Sequence, residues 1–363
     1  MLTPRKDLDR ITPYRPGKPI EEVVREMKLK KVIKLASNEN PLGPSPKALR
    51  ALKQGLKESY LYPDDVNYYL KEKLADIYKV SMDKIVVGNG SVELIYLASL
   101  AYLDPDAEII VTRGAFIIGK ISGLVAGARV IEIPPKEYTH DLLAILENIT
   151  PKTKIIYLDT PINPLGTIIK KEIFAHFMEK VPDNILVILD EAYREYITQK
   201  GYIDSFKYLK MGKNILILRT FSKIYGLAGL RVGYGFTQPE IVEAINKVRY
   251  PFHINRLAQQ ACIFALEDKR HIKKSIKVND TGKRYLYKEL EKLKVFYLPS
   301  YGNFVFVNFA QDSMEIYQKL LAEGIITRTL KEYGFPNALR VTVGKMEENE
   351  QFIAALKKVL GVA

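Results

Sequence analysis

Lys223 closes the run Leu218-Arg219-Thr220-Phe221-Ser222-Lys223, and Arg231 follows within Gly229-Leu230-Arg231-Val232-Gly233. An aldehyde cofactor that carries a phosphate needs one amine for a Schiff base, with hydroxyl, amide and guanidinium donors nearby to hold the phosphate. Ser222, Lys223 and Arg231 supply those types at close spacing. Taken alone, Lys223 is one of 55 basic residues and reads as a solvated surface group. A second cluster changes that reading. Ile185-Leu186-Val187-Ile188-Leu189 is an apolar strand that runs into Asp190, Glu191, Ala192 and Tyr193, and open α/β sheets place their ligands at such strand ends.

A carboxylate at the end of a central strand is costly to bury unpaired, and a protonated pyridine nitrogen beside Asp190 offsets that cost while keeping the ring electron-withdrawing. Tyr193 stands close enough to reach a phenolic oxygen on the same ring. Asn163, in Pro161-Ile162-Asn163-Pro164-Leu165-Gly166-Thr167, can donate to it too, although alone it is an ordinary turn residue between prolines. Gly88-Asn89-Gly90-Ser91-Val92-Glu93 links a strand to a helix and leaves the backbone N–H groups of Ser91 and Val92 for an anion. The third glycine of a dinucleotide fingerprint is missing from it. Phe116 follows another strand and could stack on a cofactor ring or fill a core. Arg328 and Arg340 lie at strand ends, where one or both guanidinium forks could take the anionic end of a substrate. The four histidines show no metal or triad spacing; His176 and His271 read as solvent-facing, and only His253 falls near the expected site. Cys262 reads as a buried helix position.

The elements that must position these groups alternate along the chain. Short apolar strands are expected at 84–87, 108–111, 128–132, 153–158, 184–189, 214–218 and 231–235, separated by helical stretches, which argues for a mostly parallel sheet covered on both faces. From Pro239 to about Leu293 the pattern is helical. The remainder predicts strands at 294–297, 303–309, 325–328 and 338–343 with helices at 313–323 and 347–360, a small α+β unit. The expected organisation is an arm and helix over 1–36, a large α/β domain over 37–265 and a small domain over 266–363.

Composition sets outer limits. The 363 residues are 47% hydrophobic and 27% charged, enough for a sizeable core. The net charge of +13 is spread among alternating Lys and Glu without a basic stripe, so no nucleic-acid partner is expected. No apolar run nears the length needed to span a bilayer, and the charged N-terminus has no signal-peptide core. A cytoplasmic protein is the expectation.

Read together, Pro13-Tyr14-Arg15-Pro16-Gly17-Lys18, Leu35-Ala36-Ser37-Asn38-Glu39-Asn40-Pro41-Leu42-Gly43, Tyr62-Pro63-Asp64, Asn163-Pro164-Leu165-Gly166-Thr167, Asp190-Glu191-Ala192-Tyr193, the Lys223 and Arg231 runs and Leu339-Arg340-Val341-Thr342-Val343-Gly344 resemble the histidinol-phosphate aminotransferases. These are class II members of the fold-type I pyridoxal phosphate enzymes. The resemblance implies a seven-stranded α/β/α sandwich with a small α+β domain, and a cytoplasmic homodimer with shared active sites. It implies that Lys223 carries the cofactor Schiff base, Asp190 meets the pyridine nitrogen, and Tyr193 and Asn163 meet the ring oxygen. Phe116 would take the stacking position. Ser91, Val92, Ser222 and Arg231 would hold the phosphate, joined by Tyr62 of the other subunit, and Tyr14, Asn40, Arg328 and Arg340 would contact substrate. The implied reaction moves an amine from L-histidinol phosphate to 2-oxoglutarate in histidine biosynthesis. Val92 stands where the pattern has aspartate, and Thr160 and Ile162 replace asparagines. Gly119 replaces a tyrosine expected to line the substrate pocket, which keeps an aromatic amino acid aminotransferase open as an alternative. A phosphothreonine decarboxylase and a cofactor-binding protein without turnover are the remaining alternatives.

Overall fold

The strands that carry the site are apolar on both faces, and the computed structural model shows why. It describes residues 2–362 apart from 4, 14–16 and 30. The first strand is β1 (Ile33–Lys34). Seven more, β2 (Ile85–Gly88), β3 (Glu108–Thr112), β4 (Arg129–Ile133), β5 (Thr153–Asp159), β6 (Leu186–Asp190), β7 (Ile215–Thr220) and β8 (Gly233–Phe236), form one sheet in the order β2-β8-β7-β6-β5-β3-β4. Neighbours pair in parallel except β8, which runs antiparallel to both β2 and β7. Alternate residues feed opposite layers: Ile156, Leu158, Val187, Leu189 and Ile217 enter one core, and Ile155, Tyr157, Leu186, Ile188 and Leu218 the other. Helices cover both faces, so β6 and β7 are buried along their whole length.

Beyond β8 the chain forms the helices Pro239–Val248, Arg256–Leu266 and Lys269–Lys292, and Asp268 caps the last by accepting from the amide of His271. A four-stranded antiparallel sheet follows, made from β9 (Phe296–Leu298), β10 (Phe304–Asn308), β12 (Arg328–Thr329) and β13 (Ala338–Thr342) in the order β12-β13-β10-β9. The strand expected at 325–328 is split. Its first part, β11 (Ile325–Ile326), leaves the sheet and pairs in parallel with β1, while Arg328 and Thr329 pair with β13. The N-terminal segment is therefore held by β11 in a separate two-stranded sheet.

Two other expectations change. Arg231 does not begin β8; it caps a short turn at Ala228–Leu230 in the left-handed conformation, φ 57°, which directs its side chain back toward Ser222. His271 is buried rather than in solvent, because its helix lies against the loop near Gly43. His176 is exposed and Cys262 is buried. No helix among the described residues is long and apolar enough to cross a membrane.

Candidate active site

A cavity of about 260 Å³ opens where the C-terminal ends of β5, β6 and β7 meet the small sheet. Ser91, Val92, Phe116, Asn163, Asp190, Tyr193, Ser222, Lys223, Arg231, Arg328 and Arg340 all line it. One expected residue, Asn40, does not. Asn40 is buried behind the wall, donating to the Ile224 carbonyl at 2.7 Å and Ser275 Oγ at 2.9 Å and accepting from the Leu42 amide, so it pins the loop before it to the segment after Lys223. Tyr62 is 78% exposed and stacks on Phe252 outside the cavity. Tyr14 lies outside the described residues.

At one end of the cavity the helix Ser91–Tyr102 begins without a side-chain cap, since its N-cap is Gly90 at φ 82°. A side chain at Gly90 would stand 2.4 Å from Arg231 Nη2, so glycine is what lets the guanidinium lie against this turn. Arg231 Nη1 also donates to Ser222 Oγ at 3.2 Å. Uncapped amides, a hydroxyl and a guanidinium thus converge on one space, a cradle of the right chemistry for a phosphate dianion. The turn is braced by Glu93, which accepts from the Asn89 amide at 2.5 Å and meets His253 Nδ1 at 2.9 Å.

The middle of the cavity is set by Asp190 and Lys223. Asp190 Oδ2 accepts from the Tyr157 hydroxyl at 3.1 Å and Oδ1 from the Ala192 amide at 3.0 Å. Burial, and then the charge of Asp159, raise its carboxyl to about 7. Lys223 Nζ donates to the Ser37 carbonyl at 3.0 Å. Burial, then Arg340, bring its amine down to about 7, which makes the neutral nucleophile available. A cationic ring nitrogen beside Asp190 would supply the counter-charge that the buried carboxylate lacks. Tyr193 accepts from Asn38 Nδ2 at 2.9 Å, and burial raises its hydroxyl well above the usual phenol range, so it stays a neutral donor. These residues fit pyridoxal phosphate in charge, hydrogen bonding and order along the cavity. Glu191, the second carboxylate of the pair, turns the other way into a buried ion pair with Arg219 at 2.6 Å that ties β6 to β7.

The far end is made by the small sheet. Arg328 and Arg340 are register partners on β12 and β13, and both are buried. Arg340 Nη1 donates to Asn163 Oδ1 at 2.5 Å and Nη2 to the Ala36 carbonyl, while its Nε has no hydrogen-bond partner. Arg328 Nη2 pairs with Glu332 at 3.0 Å. Gly119 does not shape this end. It sits in the buried helix Ile118–Val125, and a side chain there would meet the Tyr157 ring at 2.5 Å. The space beside Gly119 is taken by Tyr157 reaching from the sheet, and Gly119 is not among the residues that line the cavity. Asn38, Tyr157 and Asp159 were not singled out in the sequence, yet each makes a hydrogen bond that organises the cavity.

A family model for aminotransferase class I and II matches residues 30–356. The histidinol-phosphate aminotransferase of Moorella thermoacetica is 47% identical over 351 residues, covering 96% of this chain and 91% of that one. The chain belongs to the histidinol-phosphate aminotransferase family. This aminotransferase is also 45% identical to the histidinol-phosphate aminotransferase of Caldicellulosiruptor saccharolyticus, over 98% of the chain and 99% of that relative. In three dimensions the aminotransferase resembles the crystal structure of histidinol-phosphate aminotransferase from Sinorhizobium meliloti in complex with pyridoxal 5'-phosphate, with a TM-score of 0.92, 26% identity and coverage of 99% and 98%.

Proposed function

We propose that this aminotransferase transfers the amino group of L-histidinol phosphate to 2-oxoglutarate, giving imidazole acetol phosphate and L-glutamate in histidine biosynthesis. The observation that carries the substrate is the register pair Arg328 and Arg340, two buried guanidinium groups side by side at the end of the cavity away from the phosphate cradle. A phosphate dianion accepts two planar forks at once, and the shorter carboxylates of 2-oxoglutarate can use the same pair in the second half-reaction. Gly119 faces the Tyr157 ring and does not line the cavity, which counts against an aromatic substrate being chosen through that position.

In this reading Ser91, Val92, Ser222 and Arg231 hold the phosphate of pyridoxal phosphate. Asp190 faces its ring nitrogen, Tyr193 and Asn163 its ring oxygen, and Phe116 its face. When bound, the cofactor supplies an aldehyde for the substrate amine and a ring that spreads the negative charge left at Cα. Lys223 would supply the amine that holds the aldehyde and a base for the proton at substrate Cα, since burial brings its Nζ down to about 7. Asp190, held in place by Tyr157 and the Ala192 amide, would offer its carboxylate to a protonated ring nitrogen. Tyr193 donates rather than ionises.

The functional unit is proposed to be a cytoplasmic homodimer. Tyr60, Tyr62, Val66, Tyr68, Tyr69, Tyr250 and Phe252 form an exposed, mostly aromatic surface around the loop that carries Tyr62, and a second subunit would cover it. Tyr62 would then reach the phosphate of the neighbouring site.

The test is a single-turnover titration of the cofactor-loaded protein without acceptor, following the visible band of the bound cofactor. L-histidinol phosphate should convert it at far lower concentration than L-phenylalanine. Equal or better conversion by phenylalanine would overturn the substrate assignment, and release of carbon dioxide would mark a decarboxylase.

A further inference from the structure

One corner of the cavity is unused by this reading. Asp159, the last residue of β5, lies in register with Asp190 on β6, lines the same cavity and is 3% exposed. Its Oδ2 accepts from two backbone amides, Asn163 at 2.7 Å and Phe116 at 3.3 Å. Its Oδ1 has no hydrogen-bond partner. Behind it His140 is fully buried, with Nε2 2.8 Å from the Asp159 carbonyl, 3.5 Å from Asp159 Oδ1, and Nδ1 2.6 Å from Thr112 Oγ1. A carbonyl oxygen only accepts, so Nε2 carries a hydrogen; Nδ1 can then accept from the threonine hydroxyl, and a neutral imidazole is fully satisfied. His140 thus fixes the strand end without having to neutralise the carboxylate.

We propose that Asp159 is a positioning residue for the cofactor ring: its Oδ2 fixes the backbones of Phe116 and Asn163, and its charge joins that of Asp190 in favouring a cationic ring. The two residues it holds are those that meet the ring's face and its oxygen in the functional reading above, on which this inference rests. A buried carboxylate with a free oxygen beside a second carboxylate is unfavourable in an empty site and becomes favourable when a cation enters. The other charged or titratable groups around it are Tyr157 on the same strand, which donates to Asp190, Tyr193 beside it, and Lys223, Arg328 and Arg340 across the cavity, the last engaged with the Asn163 side chain. Asp159 therefore trades stability of the empty protein for affinity toward a cationic ring, the opposite of what a purely structural carboxylate does.

The experiment compares parent and Asp159→Asn apoproteins, measuring the dissociation constant for pyridoxal phosphate by quenching of tyrosine emission and the thermal midpoint without cofactor. Asparagine keeps an oxygen for the two amides, removes the charge and puts an NH2 where Oδ1 stands. The expected result is cofactor affinity weakened about tenfold, the size of one pKa unit of interaction, with an apoprotein midpoint at or above the parent's. Asp159→Ala, which also removes the amide acceptor, should further reduce the visible circular dichroism of the bound cofactor, a readout of ring orientation. Parental affinity in the asparagine variant overturns the proposal, and so does a joint fall of affinity and apoprotein midpoint. A parent that fails to bind pyridoxal phosphate sinks the functional reading as well, whereas a parent that binds and a variant that matches it sink this proposal alone.

Discussion

The two ends of the cavity are built on different terms. At the cofactor end the donors converge on open space: the helix at Ser91 has no side-chain cap, and Asp190 is buried next to a second carboxylate. At the substrate end the arginines already have protein partners, Arg340 with Asn163 and the Ala36 carbonyl, Arg328 with Glu332. The first end is organised ahead of its ligand and gains counter-charge when the ligand arrives. The second must exchange one partner for another, so part of the binding free energy goes into breaking existing contacts. Tight cofactor retention and looser, reversible substrate binding follow from that difference, as a two-substrate cycle through one site requires.

Replacing Lys223 with alanine should produce the largest effect, because it removes both amine and base while leaving the phosphate cradle intact. Turnover is expected to fall by at least roughly 10⁴-fold, the upper range for a positioned base, with pyridoxal phosphate still bound by equilibrium dialysis. Loss of cofactor binding along with activity would show that the cofactor end is not organised independently of its lysine.

At the other end, Arg328→Gln should raise KM for L-histidinol phosphate roughly tenfold or more, with kcat changed far less, since a hydrogen bond to a charged group contributes about 1.5–3 kcal/mol. Arg340→Gln should do the same and also disturb cofactor binding, because Asn163 loses the guanidinium that orients it. If both variants change kcat and leave KM alone, the arginines serve the transition state and the contrast between the two ends dissolves.

The smallest effect is a pH signature of the apoprotein. Asp190 titrates at about 7 in the folded state against 3.8 ordinarily. Between those values the folded protein holds a proton that the unfolded chain has lost, and stability falls as pH rises. Lys223 also titrates at about 7, against an ordinary 10.5. From there upward the unfolded chain holds the extra proton, and stability rises with pH. The two contributions meet in a minimum near neutrality. Thermal midpoints should show Asp190→Asn flattening the acid side and Lys223→Met the alkaline side, and saturating cofactor should erase the dip.

Much of the cofactor end was legible because its signals are local. An apolar run that stops at Asp190, a glycine-rich strand-to-helix turn at 88–93 and a serine next to Lys223 each announce themselves within a few residues. Asp159 carries the same signal as Asp190, a carboxylate closing a buried strand, but the apolar pattern alone ends that strand at Leu158. His140, Asn38 and Tyr157 gave no local sign; their roles arise from contacts over 19 to 155 residues of chain. Arg231 is legible as a residue but not as a conformation, since a left-handed arginine after Ala228–Leu230 depends on its guanidinium meeting Ser222 and the Gly90 turn. The break between β11 and β12 was hidden as well, because nothing in Ile325-Ile326-Thr327-Arg328 marks where one sheet hands over to another.

The register pair of Arg328 and Arg340 has a practical corollary at the bench. Two adjacent guanidinium groups behave as a small anion exchanger, indifferent to whether an oxyanion belongs to a metabolite or to the buffer. Constants measured in phosphate or sulfate therefore describe a competition, and an assay in a zwitterionic buffer of low ionic strength is the one that reports on the substrate.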